Sequence, residues 1–225
     1  MKNCLIWFRN DLRLDDNHTV NLCLKNNYKV LPVYIIDESI PIGSSSKWWL
    51  KNSLKSLNKS MNNNLLIKRG NSTEVLERLI QDYEISEVCW NARYAKEEIL
   101  QDSIVEKSII KHGLRVNIYH STLLRNPSET LKKDGTPFKV YTPFYKQKYS
   151  DVKYESHQYD CAKLKYLSLR EDKNSDFLID NFLPDESWHQ KLNKIWDPGE
   201  NGASKRLNSF LSDGLKGYSE DRNRP

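Results

Sequence analysis

Five short apolar runs separated by segments of helical period, spread over residues 4–119, decide the fold class of this chain. The runs are Cys4–Phe8, Lys29–Ile36, Leu65–Lys68, Glu87–Asn91 and Arg115–Tyr119. The first carries no charge at all, the pattern of a strand buried on both faces. Between the runs, apolar residues recur at helical spacing. Val20, Cys23 and Leu24 mark a helix from Asp16 or Asn17 to Lys25; Leu50, Leu54, Leu57 and Met61 mark one capped by Ser45 or Ser46. Ser72 opens a third helix with Val75, Leu76, Leu79 and Ile80 inward, and a fourth runs from Ala95 to His112, stopped by Gly113. Strands joined by helices require a parallel sheet with right-handed crossovers. The expected fold is therefore α/β, a Rossmann-like doubly wound five-stranded parallel sheet over residues 1–130.

After Tyr119 the rhythm breaks. Residues 131–195 read as a connector with short helices, anchored by Tyr141, Phe144 and Tyr145, with Pro143 and Phe144 packed on the sheet and a mobile charged loop at Arg170–Asp176. Helical period returns in 196–225, where Ala203, Leu207, Phe210, Leu211 and Leu215 form an apolar stripe without an obvious partner. Most helical stability comes from packing. The stripe either folds back on the α/β domain or belongs to a longer protein, and the second reading is preferred.

Several function classes are excluded by what the chain lacks. The first strand is followed by Arg-Asn-Asp-Leu-Arg, without glycine, so neither a phosphate-cradling loop nor a dinucleotide fingerprint applies. No nucleophile elbow is present. The five histidines share no ligand spacing with one another or with Cys4, Cys23, Cys89 and Cys161, so no metal site is expected. The cysteines read as reduced thiols, no apolar run approaches membrane-spanning length, and no signal peptide precedes Arg9 and Asp11; a cytoplasmic protein is expected. A net charge of +5 over 225 residues permits a nucleic-acid partner without arguing for one. Lys139, Lys146 and Lys148 read as a solvated basic face.

Four blocks carry more specific information. They are Trp7-Phe-Arg-Asn-Asp-Leu-Arg-Leu-Asp-Asp-Asn17, Gly43-Ser-Ser-Ser-Lys-Trp-Trp-Leu-Lys-Asn-Ser-Leu54, Trp90-Asn-Ala-Arg-Tyr94 with Asp102, and Lys139-Val-Tyr-Thr-Pro-Phe-Tyr145. Pro198-Gly-Glu200 and Tyr218–Pro225 extend the series. In these blocks the chain resembles the DNA photolyase and cryptochrome family, at the level of a class I-like deoxyribodipyrimidine photolyase, over its N-terminal half.

The resemblance implies a modular light-driven machine. An α/β domain holds an antenna chromophore, a folate or a deazaflavin. A helical domain, of which residues 196–225 would be the start, binds FAD and damaged DNA; light then drives repair of cyclobutane pyrimidine dimers. The chain stops before the segment that supplies most FAD contacts, so the fragment alone is expected to be inactive, and a monomer without a membrane partner. The alternatives are a cryptochrome-like blue-light receptor, and a nucleotide-binding α/β electron-transfer or stress protein with no DNA role. For the antenna, the expected wall comprises Phe8–Asn10, Ile36-Asp37, the Ser44–Trp48 turn and Asn91–Glu98. Glu98 stands where folate-binding members carry a glutamate, whose carboxylate accepts hydrogen bonds from a pterin. One of Trp48 and Trp49 joins the core stripe and the other faces the loop as a stacking wall. Tyr218 matches a flavin-contacting tyrosine, although a helix-end aromatic packing on the apolar stripe is the plainer reading. Asp11 and Arg13 are read as a loop ion pair with capping roles, and Asn91 as a tie from side chain to loop backbone.

Overall fold

The computed structural model describes residues 1–39, 41–150, 159–169, 179, 181 and 188–223. Its centre is a parallel sheet of β1 (Asn3–Phe8), β2 (Lys29–Ile36), β3 (Leu66–Arg69), β4 (Glu87–Asn91) and β5 (Arg115–Tyr119), in the order β3-β2-β1-β4-β5. The interleaved helices are α1 (His18–Lys25), α2 (Ser44–Ser60), α3 (Ser72–Asp82) and α4 (Lys96–Lys111).

The uniformly apolar first strand follows from this arrangement. Successive side chains point to opposite faces. Cys4, Ile6 and Phe8 pack with Val20, Leu54 and Leu57 of α1 and α2, while Leu5 and Trp7 pack with Leu76, Leu79, Val105 and Ile109 of α3 and α4. Both faces are covered, so neither face of the strand tolerates polarity. Strand order reverses direction between β1 and β4, and the crevice beyond the carboxyl ends there is where open α/β sheets bind ligands.

The expected boundaries of β1, β2, β4 and β5 hold to within a residue. Three details differ. The cap of α2 is Gly43, without a side-chain hydrogen bond, rather than Ser45 or Ser46; all three serines lie inside the first turn. β3 is displaced by one residue, and its exit turn uses Gly70 at φ 137°, a conformation closed to L side chains. The sheet also has a sixth strand, β6 (Lys165–Tyr166), drawn from the connector onto β2 at Lys29 and Val30, end to end with β3. Two residues, one of them charged, carry no detectable period.

In the connector, α5 (Tyr141–Lys148) does not anchor on the sheet as expected. Tyr141 and Tyr145 stack on each other and stay exposed, Pro143 is exposed, and Phe144 packs against Phe138 and Tyr149 of the connector itself. The segment Arg170–Asp176 lies outside the described residues. Beyond it come α6 (His189–Ile195), α7 (Glu200–Ser209), a π-helical turn (Phe210–Gly214) and α8 (Leu215–Asp221). α7 is seated on the first domain at its N-terminus only. The Glu200 carboxylate accepts the backbone N–H groups of Leu14 (3.0 Å) and Asp15 (2.8 Å). Gly199, at φ 108°, approaches Ser56 of α2 so closely that a Cβ there would lie 2.4 Å from its Oγ. The stripe Leu207, Phe210, Leu211 and Leu215 remains exposed. Among the described residues, no helix is long and apolar enough to cross a membrane.

Candidate functional site

At the carboxyl ends of β1 and β2, the chain leaves a cleft of about 380 Å³. Its floor is built by the first polar residue after β1. Arg9 follows five buried apolar residues and is only 6% exposed. Its guanidinium lies 4.2 Å from the ring centre of Trp7 and 5.5 Å from that of Trp90, within cation–π range of both. It donates to the Asn91 carbonyl and reaches Asp102 of α4 at 3.5 Å. Arg93 comes from the other side, 2.6 Å from Asp102 and 2.6 Å from Gln101. Two buried arginines thus share one buried carboxylate. Burial drives the Arg9 guanidinium down to about 10, with Asp102 opposing that shift and Arg93 reinforcing it.

Among the described residues, Arg9 Nε and Nη1, Arg93 Nε and Trp7 Nε1 are buried beneath the floor with no hydrogen-bond partner. Orphaned buried donors are uncommon and call for an explanation. All three residues line the cleft. The opposing wall supplies Tyr34, whose phenol burial pushes up to about 12 so that it stays protonated, and Asp37. Asp37 accepts hydrogen bonds from Ser39, from Ser72 through both N–H and hydroxyl, and from Gln101 at 2.9 Å. Burial alone would raise its carboxyl, but these bonds outweigh burial and hold it below the ordinary range.

The other candidates distribute as follows. Glu98 stands in the first turn of α4 and lines the cleft. Its carboxylate accepts the Ala95 N–H and the Asn10 amide (2.8 Å), with Arg93 at 3.9 Å. Asn91 is 2% exposed and ties side chains rather than backbone. It donates to Asp11 and to Asn17 (2.9 Å) and accepts from Ser121 (2.6 Å). Asp11 is held in that network, so it forms no ion pair with Arg13 as expected; Arg13 pairs with exposed Asp16 and donates to the carbonyls of Asp15, Asp16 and Ser121. Trp48 is the buried member of its pair, its indole N–H donating to Asn193 of α6 at 3.1 Å. Trp49 is the exposed one, lining a second, wider cleft between α2 and α7 and meeting Trp196 edge-on. Tyr218 is half exposed and packs edge-on against Phe210.

The expected wall segments Phe8–Asn10 and Asn91–Glu98 contain Arg9 and Arg93, which form the floor together with Asp102 and Gln101 of α4. The available signal was position: Arg9 is the residue at which an uncharged strand ends, and Arg93 sits two residues after β4 ends.

Comparison with known proteins adds a family relationship. The DNA photolyase family profile matches residues 4–162. A deoxyribodipyrimidine photo-lyase of Agrobacterium fabrum is 32% identical over 227 residues, covering 98% of this chain and 47% of the relative. Cryptochrome-2 of Arabidopsis thaliana is 27% identical over 233 residues, covering 98% of this chain and 38% of the relative. The crystal structure of a bacterial class III photolyase from Agrobacterium tumefaciens superposes with a TM-score of 0.88 at 32% identity, covering 99% of this chain and 47% of that one. The chain spans about half the length of the curated relatives it matches.

Proposed function

Because this chain belongs to the DNA photolyase family, we propose that it carries the antenna part of a light-dependent flavoprotein that repairs cyclobutane pyrimidine dimers in DNA. The observation that supports this reading is the cleft at the carboxyl ends of β1 and β2, where Trp7 and Tyr34 stand beside Arg9, Asp37, Arg93, Glu98 and Gln101. A planar heteroaromatic chromophore, whether folate or deazaflavin, fits that mixture of aromatic rings, donors and acceptors. Bound there, such a chromophore would supply light absorption, and reduced FAD in the complete protein would supply the electron that splits the dimer.

The chain's own residues do the holding. Arg9 and Arg93, fixed by Asp102, present N–H groups to ring carbonyls without needing to reorganise. Asp37 on the opposing wall and Glu98 beside Arg93 accept from ring N–H and amino groups. Tyr34, neutral at physiological pH, adds a hydroxyl. Asn91 and Trp48 act behind this layer, Asn91 by locking the loop after β1 and Trp48 by fixing α2 to α6. Residues 1–130 form the antenna domain, 131–195 the connector and 196–225 the entry to the FAD-binding region, with Tyr218 and the stripe Leu207–Leu215 on the side toward FAD. Damaged DNA is the partner of the whole protein. Photolyases are among the enzymes that take the target nucleotide out of the stack, which costs less at a lesion than at an intact pair.

The test is chromophore retention. The purified chain is mixed in turn with a reduced folate and a deazaflavin, then passed over a desalting column. Stoichiometric retention of one of them, lost in Arg93→Ala, is expected; retention of neither sinks the antenna assignment. A cryptochrome-type signalling role is the second reading, favoured by the match to Cryptochrome-2 over 98% of the chain. Blue-light repair of thymine dimers by the complete protein separates the two.

A further inference from the structure

Away from the cleft, the densest group of reactive side chains lies in the core. Cys4 of β1, Cys23 of α1 and Cys89 of β4 bring their Sγ atoms within 4.8 Å of one another. The Cys4 and Cys89 sulfurs are 3.5 Å apart, and each of the three residues is at most 1% exposed. Cys161 stands elsewhere, with its thiol on the Leu14 and Tyr159 carbonyls. A single buried cysteine behaves as a small apolar side chain. Three sulfurs converging from three elements also form a ligand set.

The spacing suits a single soft centre. Thiolate bonds of about 2.3 Å, the length found at zinc, put three sulfurs about 4 Å apart around a centre in their plane, and closer when the centre sits above it. The Cys4–Cys89 separation already matches the pyramidal case. Charge then selects the valence. The surroundings are Ile6, Val20, Leu57 and other apolar residues, and Glu87, the acid at the start of β4, is itself buried. Three thiolates around a monovalent ion leave two negative charges and around a divalent ion leave one. Around a trivalent centre they leave none. Uncompensated charge in an apolar core is strongly unfavourable, so the neutral complex is the one this site accepts.

We infer that Cys4, Cys23 and Cys89 form a capture site for a trivalent thiophilic metalloid of the arsenite class, which bridges β1, α1 and β4. Arsenous acid enters as the neutral trihydroxide. Three As–O and three S–H bonds break, three As–S bonds form and three waters leave, with no change of oxidation state. Because the sulfurs are buried, uptake is slow and follows opening of α1 from the sheet. Once formed, the bridge ties residues 4, 23 and 89 together and stabilises the fold by mass action.

The test incubates the reduced full chain with sodium arsenite to equilibrium and reads native mass spectra and urea midpoints. One arsenic atom gained with three protons lost, together with a raised midpoint, is expected. Cys161→Ala keeps this behaviour, whereas Cys23→Ala loses affinity by about tenfold or more, a difference of about 1.4 kcal/mol. Arsenic X-ray absorption of the loaded wild-type chain, which needs no variant, should report three sulfur neighbours and no oxygen. Failure to take up arsenic, uptake through Cys161, undiminished affinity in Cys23→Ala, or two sulfurs with one oxygen at the arsenic would each overturn the proposal.

Discussion

Asp102→Asn is the substitution that tests the floor of the cleft most directly. It removes one charge from between Arg9 and Arg93 and leaves the shape unchanged. The wild-type contacts are 2.6 Å to Arg93 and 3.5 Å to Arg9, and the three side chains are 11%, 7% and 5% exposed. Water screens such a group very little, so the roughly 0–1 kcal/mol typical of surface pairs does not apply. Removing one partner of a buried pair costs about 3–5 kcal/mol, because the remaining charge stays desolvated. For a chain of this size each kcal/mol moves Tm by about 2–4 °C, so the expected loss is about 6–20 °C. The pH dependence supplies a second readout. Arg9 sits at about 10 in the folded chain, below its ordinary 12.5, because burial disfavours the charged form. Without Asp102 it falls further. A base with a lowered folded value binds fewer protons folded than unfolded, so its contribution to stability improves as pH rises through that window. In the variant the window opens at lower pH. The stability gap between wild type and Asp102→Asn should therefore narrow as pH rises toward the wild-type Arg9 value of about 10. Urea titrations by circular dichroism at several pH values measure it. A loss under about 1 kcal/mol, or a gap constant with pH, would refute the shared-carboxylate reasoning.

Four further outcomes are expected. Asp37→Asn should destabilise the chain at neutral pH, and the gap to wild type should close in acid denaturation curves below about pH 4, because a carboxyl lowered by Ser72 and Ser39 contributes only while ionised. Asn17→Ala removes the α1 cap from Thr19 and an acceptor from Asn91, and should cost about 2 kcal/mol in urea unfolding. Glu200→Ala should abolish amide-exchange protection at Leu14 and Asp15 while leaving β1 protected. Residues Ala203–Leu215 should exchange rapidly even in the wild-type chain, since their apolar side chains are exposed; strong protection there in a monomer would contradict this.

The sheet was legible because its strands are covered on both faces. A strand in that position is apolar along most of its length, so β1, β2 and the centre of β4 stand out from polar surroundings. The helices were legible through their inward faces, and their ends less so. Asn17 caps α1 with its side chain and leaves a mark, whereas Gly43 caps α2 with backbone alone among serines that look better suited. β6 left none, since two residues are too short to show any period and β2 recruits them through backbone hydrogen bonds.

The site was legible as a location but not as a set of contacts. The charge cluster after Phe8 marks the carboxyl edge of the sheet, yet which of its charges turn inward depends on partners more than eighty residues away. Arg9 is buried because Asn91, Asp102, Trp7 and Trp90 receive it, and Arg13 is not because its partners are backbone carbonyls and exposed Asp16. The same reasoning covers the cysteines. Positions 4, 23 and 89 share no spacing in the chain, but β1 and β4 are sheet neighbours and α1 packs across both, so topology supplies the proximity that sequence order conceals. Residues that act together across a parallel sheet are separated by whole strand–helix units, and only the strand order brings them to one place.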